Sequence, residues 1–190
     1  MEINIVDTVD RGLVPMWRQL ASLNQDPIEI KNGADGVPRM VDEVIKKAKT
    51  PNSIDVLRIL AHGNSGAIAV TGGDSSDDPN SLIALWNLPR LEPSLKRLTP
   101  YFKPDARVEL LGCYVATESV GEHAHIIKEN SDGEKFIKEL AKIWKVKVLA
   151  SGNTGQGLPI ASIKFVGLVV QATPSGGLAC MPAPEITKIK

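Results

Sequence analysis

The run Asp55-Val56-Leu57-Arg58-Ile59-Leu60-Ala61 is apolar at nearly every position, and that feature does most to limit the fold. A strand with one face in water alternates polar and apolar residues. One that is apolar at successive positions is covered on both sides, as in parallel sheets sandwiched between helices. Val108-Glu109-Leu110-Leu111 has the same character, and shorter strands are expected at Ile3–Val6, Ile28–Ile30, Ala67–Thr71 and Lys145–Ala150, with a longer one at Ser162–Ala172. Helical spacing separates them. Leu13, Met16, Trp17, Leu20 and Leu23 recur on one face, with Pro15 acceptable in a first turn. Pro38 opens a second helix carrying Met40, Val41, Val44, Ile45 and Ala48, whose lysine-rich last turn suits the helix dipole. Phe136, Ile137, Leu140, Ala141 and Trp144 mark another after the Asp132-Gly133 turn, and a proline-punctuated helical stretch is expected from Leu91 to Phe102. Strands alternating with helices need right-handed crossovers. The expected architecture is a three-layer α/β sandwich with a mainly parallel central sheet, one domain over residues 1–172 and an irregular tail over 173–190.

Composition narrows the function classes. The 190 residues carry 22 Lys+Arg and 22 Asp+Glu, a formal net charge of zero, and only 4% are aromatic. A nucleic-acid protein would show a basic excess or a stacking platform, so no nucleic-acid partner is expected. The apolar run Ile160–Ala172 is broken by Lys164 and too short for a bilayer, so no membrane insertion is expected. Residues 1–7 do not read as a signal peptide. A cytoplasmic setting is therefore the default expectation, with delivery as a toxin or effector the exception. Two cysteines, Cys113 and Cys180, are too few for a disulfide scaffold or a cysteine-rich zinc site, although one bridge between them stays open.

Both buried-type runs end in reactive side chains, His62-Gly63 after the first and Gly112-Cys113 after the second. In open parallel sheets the functional groups gather beyond the carboxyl ends of the strands. If these two strands are neighbours, imidazole and thiol open into one crevice. Cys113 is then a nucleophile that needs a base, and His62 is the base that takes its proton and returns it to a leaving amine. Gly63 has no Cβ, so its N–H can approach a carbonyl oxygen and, with the Cys113 N–H, form an oxyanion hole. Cys180 has no such neighbours in the sequence.

On these motifs, Leu57–Gly63 and Val108–Cys113 with the following Tyr114-Val115-Ala116, the chain resembles the caspase-like cysteine peptidases, and among them the bacterial His-Gly/Gly-Cys domains. The separation of 51 residues from His62 to Cys113 agrees with the roughly 50 of the caspases. The resemblance implies a caspase-like fold over about residues 1–172 and a Cys113–His62 dyad that hydrolyses peptide bonds through a thioester, with a protein or peptide as substrate and no cofactor. The caspase-specific Gln-Ala-Cys pentapeptide is absent, so aspartate specificity is not carried over. Specificity-pocket positions implied by the family's loop placement are Ser151, Gly152 and Asn153, and Asp74, Asp77 and Asp78 in the Gly72–Asn80 loop. A carboxylate there would select Lys or Arg. That loop also has the small polar character of a nicking site.

Two further signals point elsewhere. Gly152-Asn153-Thr154-Gly155-Gln156-Gly157 suggests a phosphate loop, but it leads into a strand rather than opening a helix and lacks the dinucleotide spacing. His123 and His125 stand at i, i+2, off a common helix face and without a third ligand, so no metal site is expected. The alternatives to a peptidase are a non-catalytic caspase-like binding module and a nucleotide-binding α/β domain. The oligomeric state stays open.

Overall fold

The computed structural model describes residues 1–23, 25–31, 36–71, 79–117, 132–152, 165 and 168–182. Along the chain, β1 (Glu2–Asp7) leads through a 3-10 turn (Arg11–Leu13) into α1 (Val14–Ser22), then β2 (Ile28–Ile30), α2 (Gly36–Ala48) and β3 (Ile54–Leu60). A small antiparallel sheet follows, built from β4 (Gly63–Asn64), β5 (Ala67–Ala69) and β6 (Leu82–Ala84). Next come α3 (Leu88–Lys96), β7 (Phe102–Leu111), α4 (Gly133–Trp144), β8 (Lys147–Ser151), β9 (Leu168–Ala172) and β10 (Leu178–Pro182).

The main sheet has seven strands in the order β10-β9-β8-β7-β3-β1-β2. The five from β2 to β8 run parallel, and β9 is antiparallel to both of its neighbours. Each face is covered. On one, Val6, Leu60, Leu111 and Leu149 meet Leu13, Met16 and Leu20 of the α1 region. On the other, Ile3, Ile5, Leu57, Ile59, Val108 and Leu110 meet the apolar stripes of α2, α3 and α4. The protein is thus α/β, with a mainly parallel mixed sheet flanked by helices. Continuous apolar character in β3 follows from this double burial: only Asp55 is not fully buried.

From β1 the chain goes outward to β2, then returns across β1 to β3, β7 and β8. The direction of winding therefore reverses between β1 and β3. In open α/β sheets such a reversal is where functional groups gather beyond the carboxyl ends, because the crossovers on either side go to opposite faces.

Two expectations need correction. Phe102 is not the end of a helix but the start of β7, which begins six positions before Val108. The helix stops at Lys96, and a 3-10 turn at Thr99–Tyr101 separates the two. The half-exposed start of β7, with Lys103, Pro104 and Asp105, hid the strand. The tail expected to be irregular supplies β10, which closes a hairpin on β9. An edge strand is held by ladder hydrogen bonds more than by burial, and so shows little periodicity. Of the expected strand at Ser162–Ala172, residues 168–172 are described, as β9.

Candidate functional site

Position along the sheet brings the two reactive motifs together. β3 and β7 are hydrogen-bonded neighbours with Leu60 opposite Leu111. Their side chains belong to the same α1-facing core. His62 and Cys113 each stand two positions beyond that pair, at the same level past the carboxyl ends of neighbouring strands. His62 is exposed and Cys113 half-buried.

The glycines beside them allow the two turns to touch. A Cβ on Gly63 would fall 2.5 Å from Val115 Cγ2 and 2.7 and 2.8 Å from the Cys113 carbonyl oxygen and nitrogen. One on Gly112 would fall 2.9 Å from Gly63 Cα. No side chain fits at either position without moving backbone. The Gly63 N–H is also not consumed by the small sheet. The Ala69 N–H donates to the His62 carbonyl at 2.7 Å, which makes Gly63 and Ile68 a non-hydrogen-bonded pair of the antiparallel ladder.

The turn carrying Cys113 is pinned on both sides. Ala116 N–H donates to the Ser151 carbonyl at the end of β8 (2.9 Å), and Gly66 N–H to the Val115 carbonyl (3.0 Å). Tyr114, directly after the cysteine, has φ of 55° and an exposed ring. A left-handed non-glycine residue carries strain of about 1–3 kcal/mol, held in place by such anchors.

The sequence reading missed Asp10. It follows β1, across the switch point from His62, and its Oδ2 lies 2.7 Å from His62 Nε2. Its other oxygen accepts the Gly12 N–H at 2.8 Å, capping the 3-10 turn. The carboxylate is therefore fixed at one end and presented to the imidazole at the other. Its signal was available in principle: an acidic residue just beyond the carboxyl end of a strand next to β3. What was missing was the strand order.

Ser151 is fully buried at the end of β8, so its side chain does not face solvent, while Gly152 is half-buried and its N–H donates to the Leu168 carbonyl. Asp74, Asp77, Asp78, Asn153, His123 and His125 lie outside the described residues, as does all but Gly152 of the glycine-rich 152–157 loop. Cys180 is exposed on β10, far along the sheet order from β7. Neither cysteine forms a disulfide. Among the described residues no group of three or more His, Cys, Asp and Glu could hold a metal ion, and no helix is long and apolar enough to cross a membrane.

A family model described as "Domain of unknown function (DUF4347)" matches residues 9–157, and the chain belongs to that family. The match contains Asp10, His62 and Cys113 together. No curated protein and no solved structure matches the chain.

Proposed function

We propose that this DUF4347 chain is a cysteine endopeptidase of caspase-like fold, with Cys113 as nucleophile and His62 as general acid and base. The observation that supports the reading is the register of β3 and β7: His62 and Cys113 each follow the Leu60–Leu111 pair by two residues, and the Gly63 and Cys113 backbones are in contact. In this mechanism the Cys113 sulfur attacks the scissile carbonyl carbon as His62 takes the thiol proton. The N–H groups of Gly63 and Cys113 hold the developing oxyanion. His62 then protonates the amine as the C–N bond breaks, leaving a thioester on Cys113. Water attacks that thioester with His62 again as base, and the acid product leaves.

Asp10 is the positioning residue. Accepting a proton-bearing Nε2, it leaves Nδ1 as the nitrogen open to the thiol proton, and it stabilises the imidazolium formed midway. The family resemblance assigns substrate selection to Asp74, Asp77 and Asn153, and the substrate is a protein or peptide.

Cleavage of a mixed peptide library by wild type, Cys113→Ala and His62→Ala, read by mass spectrometry, tests the assignment. Wild type is expected to give discrete cuts and both variants none. Undiminished cleavage by Cys113→Ala overturns it. Binding of library peptides by wild type without any cleavage identifies a non-catalytic scaffold instead.

A further inference from the structure

A second surface lies away from the strand ends. Between α3 and α4 runs an open groove of about 680 Å³, and no residue of the His62–Cys113 region lines it. One wall is the Leu88, Glu92, Lys96 stripe of α3, and the other is Lys135, Glu139 and Lys142 of α4. These positions recur at i+3 and i+4, so each helix turns one whole face to the groove. Leu85, Pro89 and Ile143 add apolar surface, and Trp86 stands at the mouth with 43% of its surface exposed.

The charges are not equivalent. Lys96 is paired with Glu92 and Lys142 with Glu139, each along its own helix. Lys135, in the first turn of α4, and Lys145, just past its end, have no ion-pair partner among the described residues. Two lysines thus bracket an apolar trough, one at each end of the α4 wall. A nine-residue helix such as α3 is about 14 Å long, the span of about four extended residues. Two acidic side chains in the walls disfavour a polyphosphate backbone, whereas an apolar anchor with flanking carboxylates suits both the trough and its ends.

We propose that the α3–α4 groove docks a short acidic peptide segment, with one apolar or aromatic side chain in the trough against Trp86 and carboxylates on Lys135 and Lys145. The site is independent of the peptidase reading, but it is tied to the same framework. The Leu85 N–H donates to the Gly66 carbonyl at 3.0 Å, and β6 pairs with β5, which pairs with β4 at Gly63.

The test is fluorescence anisotropy with three labelled decapeptides: one with a single Phe flanked by Glu, one with every Glu replaced by Gln, and one with the Phe replaced by Ala. The first is expected to bind at least tenfold tighter than either of the others. A Lys135→Glu, Lys145→Glu double variant should weaken it tenfold or more, Trp86→Ala should do likewise, and added salt should lower affinity. An unchanged circular dichroism spectrum and unfolding midpoint for both variants shows that the loss is local. Equal affinity for the Glu and Gln peptides, insensitivity to the double charge reversal, or no binding of the first peptide at millimolar concentration overturns the proposal.

Discussion

The same two strands carry two cross-strand constellations four residues apart, with opposite characters. Lower down, Arg58 of β3 meets Glu109 of β7, Nε to Oε2 at 2.6 Å, with side-chain exposures of 6% and 3%. Glu2 and Arg107 complete the cluster, each at 2.6 Å. Four residues further on, past the Leu60–Leu111 pair and the strand ends, stand His62 and Cys113, and the His62–Asp10 pair is 44% and 23% exposed. The geometry repeats, but the solvent does not. Burial locks the Arg58–Glu109 centre of the lower group, where each charge needs its partner, while Glu2 and Arg107 reach in from the surface. Burial by itself would lower the Arg58 pKa, yet the hydrogen bond to Glu2 and the charge of Glu109 outweigh it and hold the value raised. At the upper level the strands have ended and the groups meet solvent, where a proton can be exchanged. Register supplies the juxtaposition, and depth in the sheet decides whether it is structural or reactive.

Substitution at the two levels should separate these roles. His62→Ala is expected to cut peptide cleavage by about 10²–10⁴-fold, the usual share of a general acid–base group. Its stability should change by less than about 1 kcal/mol, as for an exposed residue. A urea midpoint falling as far as that of a core variant would erase the contrast. Arg58→Met should do the reverse. It leaves the Glu109 carboxylate buried with Arg107 alone, at a cost of about 3–5 kcal/mol in denaturant titrations. Adding Glu109→Leu should restore much of that loss, since a buried pair is replaced far more cheaply than it is broken.

Asp10→Asn is a finer cut. The amide oxygen can still cap Gly12, so unfolding should move little, while the orientation and charge at His62 are lost. Cleavage should fall by roughly tenfold to a hundredfold with an altered pH–rate profile, where a purely structural role would leave the profile in place. The smallest effect belongs to Glu2. Its hydrogen bond from Arg58, outweighing its burial, holds its carboxyl below the ordinary 4.5. A carboxyl whose folded value is depressed stabilises the protein above its unfolded value, and that contribution is lost as pH falls through the lower, folded value. Glu2→Gln should therefore flatten the stability–pH curve below about pH 4.5 and slightly lower stability at neutral pH. Unfolding midpoints from pH 3 to 7 for both proteins check this.

Much of the framework was legible because burial writes itself into sequence. β3 and the α4 stripe of Phe136, Ile137, Leu140, Ala141 and Trp144 are apolar in the pattern that two-sided and one-sided burial demand, and both stand where expected. β10 and the first half of β7 were not legible, because partly exposed strands are specified by their neighbours' hydrogen bonds. β6, three residues long, is read only as the partner of β5. The site divides in the same way. His62 and Cys113 could be paired by their common position after buried strands. Asp10 could not join them, because adjacency of β1 to β3 is a fact of strand order, and Asp10 looks in sequence like any turn aspartate.

Alkylation of the two thiols within one protein tests the central claim most directly. Cys180 is exposed and Cys113 only half-buried, so access alone favours Cys180. Iodoacetamide labelling near pH 7, followed site by site by mass spectrometry, should nevertheless modify Cys113 at least about tenfold faster, because a neighbouring base raises the reactivity of a thiol. In His62→Ala that advantage should disappear. If Cys180 reacts faster in wild type, or if loss of His62 leaves the Cys113 rate unchanged, the two strand ends do not form a reactive pair.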